Sequence, residues 1–348
     1  MPPPHPKVSV SIITYNQRKV IGRAIDSVLM QRTDFPFEII IGDDCSDDGT
    51  QDVLRAYQRR YPDVVQIILH PRRYDEVPGR TNNVTNLTNC RGKYTAMLDG
   101  DDYWTDPDKL QRQVDRMEAD PEIAMCVHDS RIVHEPAIGV VKKELVSGYG
   151  AAQPTGYYAH VDVARRRLFA QISTICFRTR CFDYFPDWFY DVVPADKALL
   201  LLISREGRVW YDAEPASVYV INPQSFVNAH FVGRALTERR LADYDLFARE
   251  FPETYLPPSQ QKMLAHLYFR LFKMDLARGK LLAAGKWGYG MLQRSPLYPL
   301  KAARAAARNR YRAWRYAPTR TADSRSGPVP PPATPGTNQP LSPPPYTR

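Results

Sequence analysis

The sequence lacks the devices on which small secreted and membrane-embedded proteins depend. Its five cysteines (Cys45, Cys90, Cys126, Cys176 and Cys181) are odd in number, scattered, and form no CxxC pair. That excludes a disulfide framework and the usual zinc-ligand spacing, and leaves free thiols in a reducing compartment. No apolar run approaches the roughly 18 residues of a membrane span; the longest, Ala198–Ile203, has six. The first residues, MPPPHPKVSV, have neither the basic start nor the long apolar stretch of a secretory signal. The protein is therefore expected in the cytoplasm. A glycine-rich, basic phosphate loop is also missing near the start, where SIITYNQRKVIG stands instead. This absence speaks against enzymes that grip a phosphate with such a loop.

Charge of one sign is scarce until the end of the chain. The net charge is +9, but residues 301–348 carry nine Lys or Arg against the single acid Asp323. That segment holds +8, and the preceding 300 residues are near neutral. The basic balance thus belongs to the tail and not to any pocket. At 348 residues, 43% of them hydrophobic, the chain is long enough for one large α/β domain with appendages.

The first third alternates strand and helix patterns. Val8–Thr14, Phe37–Gly42, Val64–Leu69, Tyr94–Leu98 and Ile123–Val127 read as buried strands, rich in β-branched residues. Helical spacing of apolar residues follows the first strand (Val20, Ala24, Ile25, Val28, Leu29). A second helix is expected behind Thr50 as N-cap, and another opening at Thr105-Asp106-Pro107. This predicts a mainly parallel sheet flanked by helices, with ligands at the carboxyl ends of the strands. Further on, Ser173–Phe177, Val209–Tyr211 and Val218–Ile221 read as strands, Asp196–Arg205 as a helix, and residues 231–295 as helical. After Ala317 proline dominates, as in a disordered tail.

Three acidic segments each follow a strand or open a helix: Asp43-Asp44, Asp99-Gly100-Asp101-Asp102, and Asp196. Three aspartates within four residues repel one another unless a cation or donors neutralise them. A hard divalent cation does so through one or two carboxylates while substrate phosphates complete its shell. The competing reading is an acidic turn capping the next helix. Asp43 and Asp44 suit hydrogen bonds to a base and a ribose, or plain turn chemistry, since SDDG is a strong loop signal.

Taken in order, VSVSIITYNQ, EIIIGDDCSDDGT and GKYTAMLDGDDYWTDPDKLQRQV resemble the family 2 glycosyltransferases of GT-A fold. The likeness is strong over residues 7–130 and weaker over 165–225. It implies a Rossmann-like, mainly parallel sheet in a domain of residues 1–230, with a nucleotide-sugar half (7–130) and an acceptor half (131–230). A helical extension (231–316) with a basic amphipathic end and a proline-rich tail (317–348) would follow. By resemblance, Thr14 and Tyr15 line the nucleotide pocket and Asp43 or Asp44 reads the base. Arg80 and Asn86 fall where nucleotide contacts occur, Asp99 meets ribose or metal, and Asp101 is the main ligand of a divalent Mg2+ or Mn2+, with Asp102 a further candidate. Asp196 falls at the general base. The sequence departs from the pattern at Tyr219-Val220-Ile221-Asn222, where many members carry a histidine; His230 lies eight residues on.

The activity so implied is transfer of a sugar from a nucleotide-diphosphate donor, UDP-linked first among them, to a glycan or lipid-linked acceptor, with inversion, in polysaccharide or lipid-linked glycan synthesis. A sugar-phosphate nucleotidyltransferase on a similar sheet is the first alternative, and the missing phosphate loop at SIITYNQRKVIG speaks against it; a non-catalytic nucleotide-sugar binding module is the second. In the tail, Leu300, Ala303, Ala307, Tyr311 and Trp314 share one helical face beside a basic one. That arrangement fits peripheral contact of residues 300–316 with an anionic membrane, ahead of a merely solvated face; nucleic acid is not the expected partner.

Overall fold

A computed structural model describes residues 5–73, 79–135, 143–146, 153–165, 167–168, 170–182, 185–221, 233–251 and 258–304. The chain divides into two compact units, residues 1–298 and 299–348. The proline-rich tail, most of the basic helix expected at 300–316, Asn222 and His230 lie outside the described residues.

The β-branched runs form the sheet they predict. Strands β1 (Val8–Thr14), β2 (Phe37–Asp43), β3 (Val65–Leu69) and β4 (Tyr94–Asp99) are parallel, in the order β3-β2-β1-β4. Register sets Thr14 level with Asp43 and Ile13 level with Asp99 at the carboxyl edge. The sheet continues through β9 (Cys176–Arg178), antiparallel to both β4 and β6 (Ile123–His134). Next comes β10 (Arg208–Ile221), parallel to β6, and at the edge β5 (Tyr103–Trp104). Short strands β7 (Lys143–Val146) and β8 (Gly156–Tyr158) pair with β6 and β10.

Several boundaries differ from the sequence reading. The two short strands expected at 209–211 and 218–221 are one, β10, with register shifts around Pro215. Proline cannot donate to the ladder, so the strand bulges there. Helix α4 (Lys109–Ala119) starts two residues after Pro107, because the Thr105 amide is tied to the Ala216 carbonyl at 2.9 Å and keeps that stretch extended. Thr50 begins helix α2 (Thr50–Arg60) and does not cap it. Gly49, at φ 92°, makes the turn that L side chains resist, and Asp48 Oδ1 accepts the Thr50 amide at 2.9 Å.

Helices cover both faces. Helix α1 (Ile21–Leu29), α2 and α4 enclose one core with the first four strands, including Ile12, Ile25, Ile39, Trp104 and Leu110. The opposite core lies between the sheet and α3 (Arg80–Thr88), α5 (His160–Ala164), α6 (Asp187–Asp191) and α7 (Ala195–Arg205), and takes in Phe247 of α8 (Gly233–Glu250) and Phe251 just beyond it. Each fully buried aliphatic or aromatic side chain there contributes about 1.5–3 kcal/mol. Helix α9 (Pro258–Leu276) packs against α8 around Leu241, Leu264, Leu267 and Leu271, and α10 (Leu281–Arg294) packs against α9, with Trp287 on that cluster.

Candidate active site

The carboxyl ends of β1, β2 and β3 are laced together by main-chain bonds. The Asp44 amide donates to Thr14 O and the His70 amide to Asp43 O, each at 3.0 Å. The loops after β1 and β2 interlock through Asn16 N–H to Ser46 Oγ at 2.8 Å, Arg18 N–H to Asp48 Oδ2 at 3.0 Å and Gln17 N–H to Thr50 Oγ1 at 2.9 Å. Asn16 and Cys45 sit at positive φ, 51° and 62°, in the left-handed region that non-glycine residues enter at a cost, and such sites cluster where function needs them.

Thr14 and Tyr15 border this seam. Thr14 Oγ1 donates to Gln17 Oε1 at 2.7 Å, and the Arg73 guanidinium lies over the Tyr15 ring at 3.9 Å. Asp43 Oδ2 accepts from the Ser46 amide and Gln51 Nε2, at 2.9 and 2.8 Å. Its other oxygen, and Oδ1 of Asp44, are buried with no hydrogen-bond partner among the described residues. Burial pushes the Asp44 carboxyl up, opposed by Arg73, His70 and the Gly79 amide, with Asp43 adding to the rise; Arg73 Nε stands 3.7 Å from Asp44 Oδ2. Two buried acceptor oxygens side by side at strand ends suit the hydroxyl and N–H donors of a nucleoside.

The Asp99–Asp102 turn behaves as two different sites. Asp99 and Asp101 are half-buried. Burial, Asp101 and Asp196 together push the Asp99 carboxyl up to about 8. Asp101 is also raised by burial, held back by its own amide and by Arg23. The sequence reading offered Asp102 as a further metal ligand. It is 1% exposed, and its two oxygens accept from Ser173 Oγ at 2.6 Å and the Val220 amide at 2.9 Å. Asp102 therefore anchors the turn to β10 through both oxygens.

Asp196 is exposed in the first turn of α7, where the helix macrodipole favours a carboxylate. It acts electrostatically on both Asp99 and Arg80, so acids nearly a hundred residues apart in sequence share one region. Arg80 is 4% exposed, donates from Nη2 to Val192 O, and lies 4.4 Å above the Phe189 ring. Burial draws it down to about 10 against the pull of Asp196 and Asp243. Arg80 thus braces the segment leading into Asp196. Asn86 is wholly buried; its Nδ2 donates to Ile12 O at 2.7 Å and Ile40 O at 3.1 Å. Arg80 and Asn86, expected at the nucleotide, each spend one nitrogen on main-chain carbonyls, while Arg80 Nε and Nη1 and Asn86 Oδ1 are buried with no hydrogen-bond partner among the described residues.

The sequence reading missed Arg23, Gln17, Arg73 and Ser173. Arg23 makes a two-pronged pair with Glu135, at 3.2 and 3.0 Å, beneath its stacking on Tyr103 at 4.3 Å, and so brings a cation to Asp101. No sequence signal marks a pair separated by 112 residues.

Among the described residues no three His, Cys, Asp or Glu side chains gather as a metal cage. The donor set nonetheless fits a hard divalent cation. Asp99 and Asp101 are crowded carboxylates that ionise reluctantly alone, and Mg2+ takes one or two carboxylates with substrate phosphates and water completing the shell.

A mainly parallel sheet with acids gathered at its carboxyl edge places the molecule among the GT-A α/β folds. A crystal structure of S. aureus TarS residues 1–349 in complex with UDP-GlcNAc superposes with a TM-score of 0.58 at 19% identity, covering 89% of this chain and 91% of that one. The mannosyltransferase PcManGT from Pyrobaculum calidifontis, in complex with GDP-Man and Mn2+, gives 0.50 at 20% identity over 89% and 83%. Residues 9–177 match the family described as glycosyl transferase family 2. An uncharacterized protein of Mycobacterium tuberculosis is 41% identical over 215 residues, 61% of this chain. The match spans 58% of that relative's length.

Proposed function

We propose that the chain transfers a sugar from a nucleoside-diphosphate donor to a hydroxyl acceptor, with inversion at the anomeric carbon and with a divalent cation. The observation that carries this reading is that Asp101 and Asp196 both act on the Asp99 carboxyl, which brings the end of β4 and the start of α7 to one region. The family match over residues 9–177 and the nucleotide-sugars bound by the two structural neighbours support it.

In this mechanism Thr14, Tyr15, Asp43 and Asp44 hold the nucleoside, with the unpartnered acid oxygens taking its donors. Asp101, with Asp99 beside it, would hold Mg2+ or Mn2+, whose chemistry when bound is to stabilise charge on the departing diphosphate. Asp196 accepts the acceptor's hydroxyl proton as the oxygen forms its bond to the anomeric carbon. The bond from that carbon to the diphosphate breaks on the opposite face, and the nucleoside diphosphate leaves. Arg80, fixed on Val192 O, positions Asp196 from behind. Holding donor and acceptor in line supplies much of the remaining acceleration. UDP-sugars are the first donors to assay and GDP-mannose the second; the acceptor class is a glycan or lipid-linked hydroxyl at the cytoplasmic face of a membrane.

The test is Asp196→Asn. Transfer should fall by about 10²–10⁴, the range of general-base help, while nucleotide affinity by calorimetry stays within twofold. Parallel loss of binding would remove Asp196 from the role of base.

A further inference from the structure

Helix α10 carries large apolar side chains on its outer side as well as its inner one. On the inner side Ala284 and Met291 are buried, Trp287 packs on the leucine cluster of α8 and α9, and a Cβ at Gly290 would come within 2.7 Å of the Tyr268 ring. A second set of large apolar side chains points outward. Leu282 is 94% exposed, Leu281 69% and Tyr289 66%, with Leu292 also exposed. At about 100° per residue these four fall within an arc of about 100°, a single outward stripe. Of the ten large apolar side chains exposed among the described residues, six lie between Leu276 and Leu297. The patch is therefore local and not a general property of the surface.

The same stretch, residues 276–298, carries Arg278, Lys280, Lys286 and Arg294 and no acid. Arg278 and Lys280 sit on the α9–α10 turn, which Gly279 makes at φ 70°, and Lys286 flanks the stripe. An exposed apolar patch with a cationic rim marks an interaction site. We propose that the outer face of α10 and the α9–α10 turn dock on an anionic lipid surface, the leucines and Tyr289 entering the headgroup boundary and the cations meeting lipid phosphates. A second copy of this chain is a poor occupant, since a two-fold contact would bring Arg278, Lys280 and Lys286 towards like charges, and the nearby acid Asp245 already faces Arg294 at 4.0 Å. The inference stands apart from the glycosyl-transfer reading, because its readout is vesicle binding and not activity.

The test is co-sedimentation of the full chain with phosphatidylcholine vesicles, with and without phosphatidylglycerol. The wild type should bind the anionic vesicles and fall off with salt. The triple variant Leu281→Ser, Leu282→Ser, Tyr289→Ser should bind at least about tenfold more weakly, with an unchanged far-ultraviolet spectrum. The double variant Lys280→Gln, Lys286→Gln should lose the preference for anionic lipid. All variants keep residues 299–348, so any difference belongs to this face. Equal binding by the wild type and the triple variant overturns the proposal. So does a dimer, seen by sedimentation velocity, that the triple variant abolishes while neither protein binds vesicles.

Discussion

Lys109, the first residue of α4, has no exposed surface and no hydrogen-bond partner for its Nζ among the described residues. Its ammonium lies 3.6 Å over the Trp104 ring. Burial draws it from 10.5 down to about 7, with the nearby Cys176 and Cys126 opposing. Between those two values the unfolded chain holds a proton that the native state lacks. Stability attributable to this residue is therefore lost as pH falls from about 10.5 to about 7, and the loss is complete below that. Lys109→Met should stabilise the protein at pH 7 by about 1–3 kcal/mol, the cost of a buried polar group without a partner. In urea titrations the gap should narrow steadily as pH is raised towards 10; a constant gap would show that the amine stays charged throughout. Nothing in the sequence flagged this residue, since a lysine after Thr-Asp-Pro-Asp reads as an exposed first-turn side chain. Only the fold of β5 and β9 over α4 encloses it.

Helix α3 shows how an element can be illegible locally and yet required. RTNNVTNLT has low helix propensity and no apolar period. It forms because its asparagines reach the sheet: Asn82 Nδ2 donates to Gly42 O at 2.9 Å, and Asn86 bridges carbonyls of β1 and β2. That approach needs a bare backbone at Gly42, where a Cβ would stand 1.9 Å from Asn82 Oδ1 and 2.5 Å from Asn86 Oδ1. Gly42→Ala should therefore cost about 1–3 kcal/mol by overpacking, read as a lower urea midpoint with an unchanged slope. Because Gly42 precedes Asp43, nucleotide affinity should weaken as well. The strands, by contrast, were legible: β1 begins and ends where its β-branched run does, and β2, β3 and β4 each shift by one residue at one end.

At the scale of the whole molecule, donor and cation should act as ligands of the native state. A ligand at a hundred times its dissociation constant adds about 2.7 kcal/mol to stability. UDP with Mn2+ should raise the melting midpoint more than either alone, and EDTA should remove the excess. Asp101→Asn should abolish the Mn2+-dependent part. Asp102→Asn should melt lower throughout, through its lost anchoring of the turn to β10, yet keep its response to the metal. If the two variants respond alike, the division of labour within the turn is wrong.

The sequence by itself determined the sheet-forming runs, the α/β alternation and the three acidic segments, because strand propensity and acid clusters are local properties of a few adjacent residues. It also held enough ordered motif to show the family resemblance. Tertiary structure alone decided which acids face which neighbours. Asp102 is tied to Ser173 and Val220 while Asp101 is left beside Arg23, and Arg80 is drawn to Val192. Those outcomes depend on contacts across tens to more than a hundred residues, and desolvation and Coulomb interaction are set by such packing and not by order along the chain.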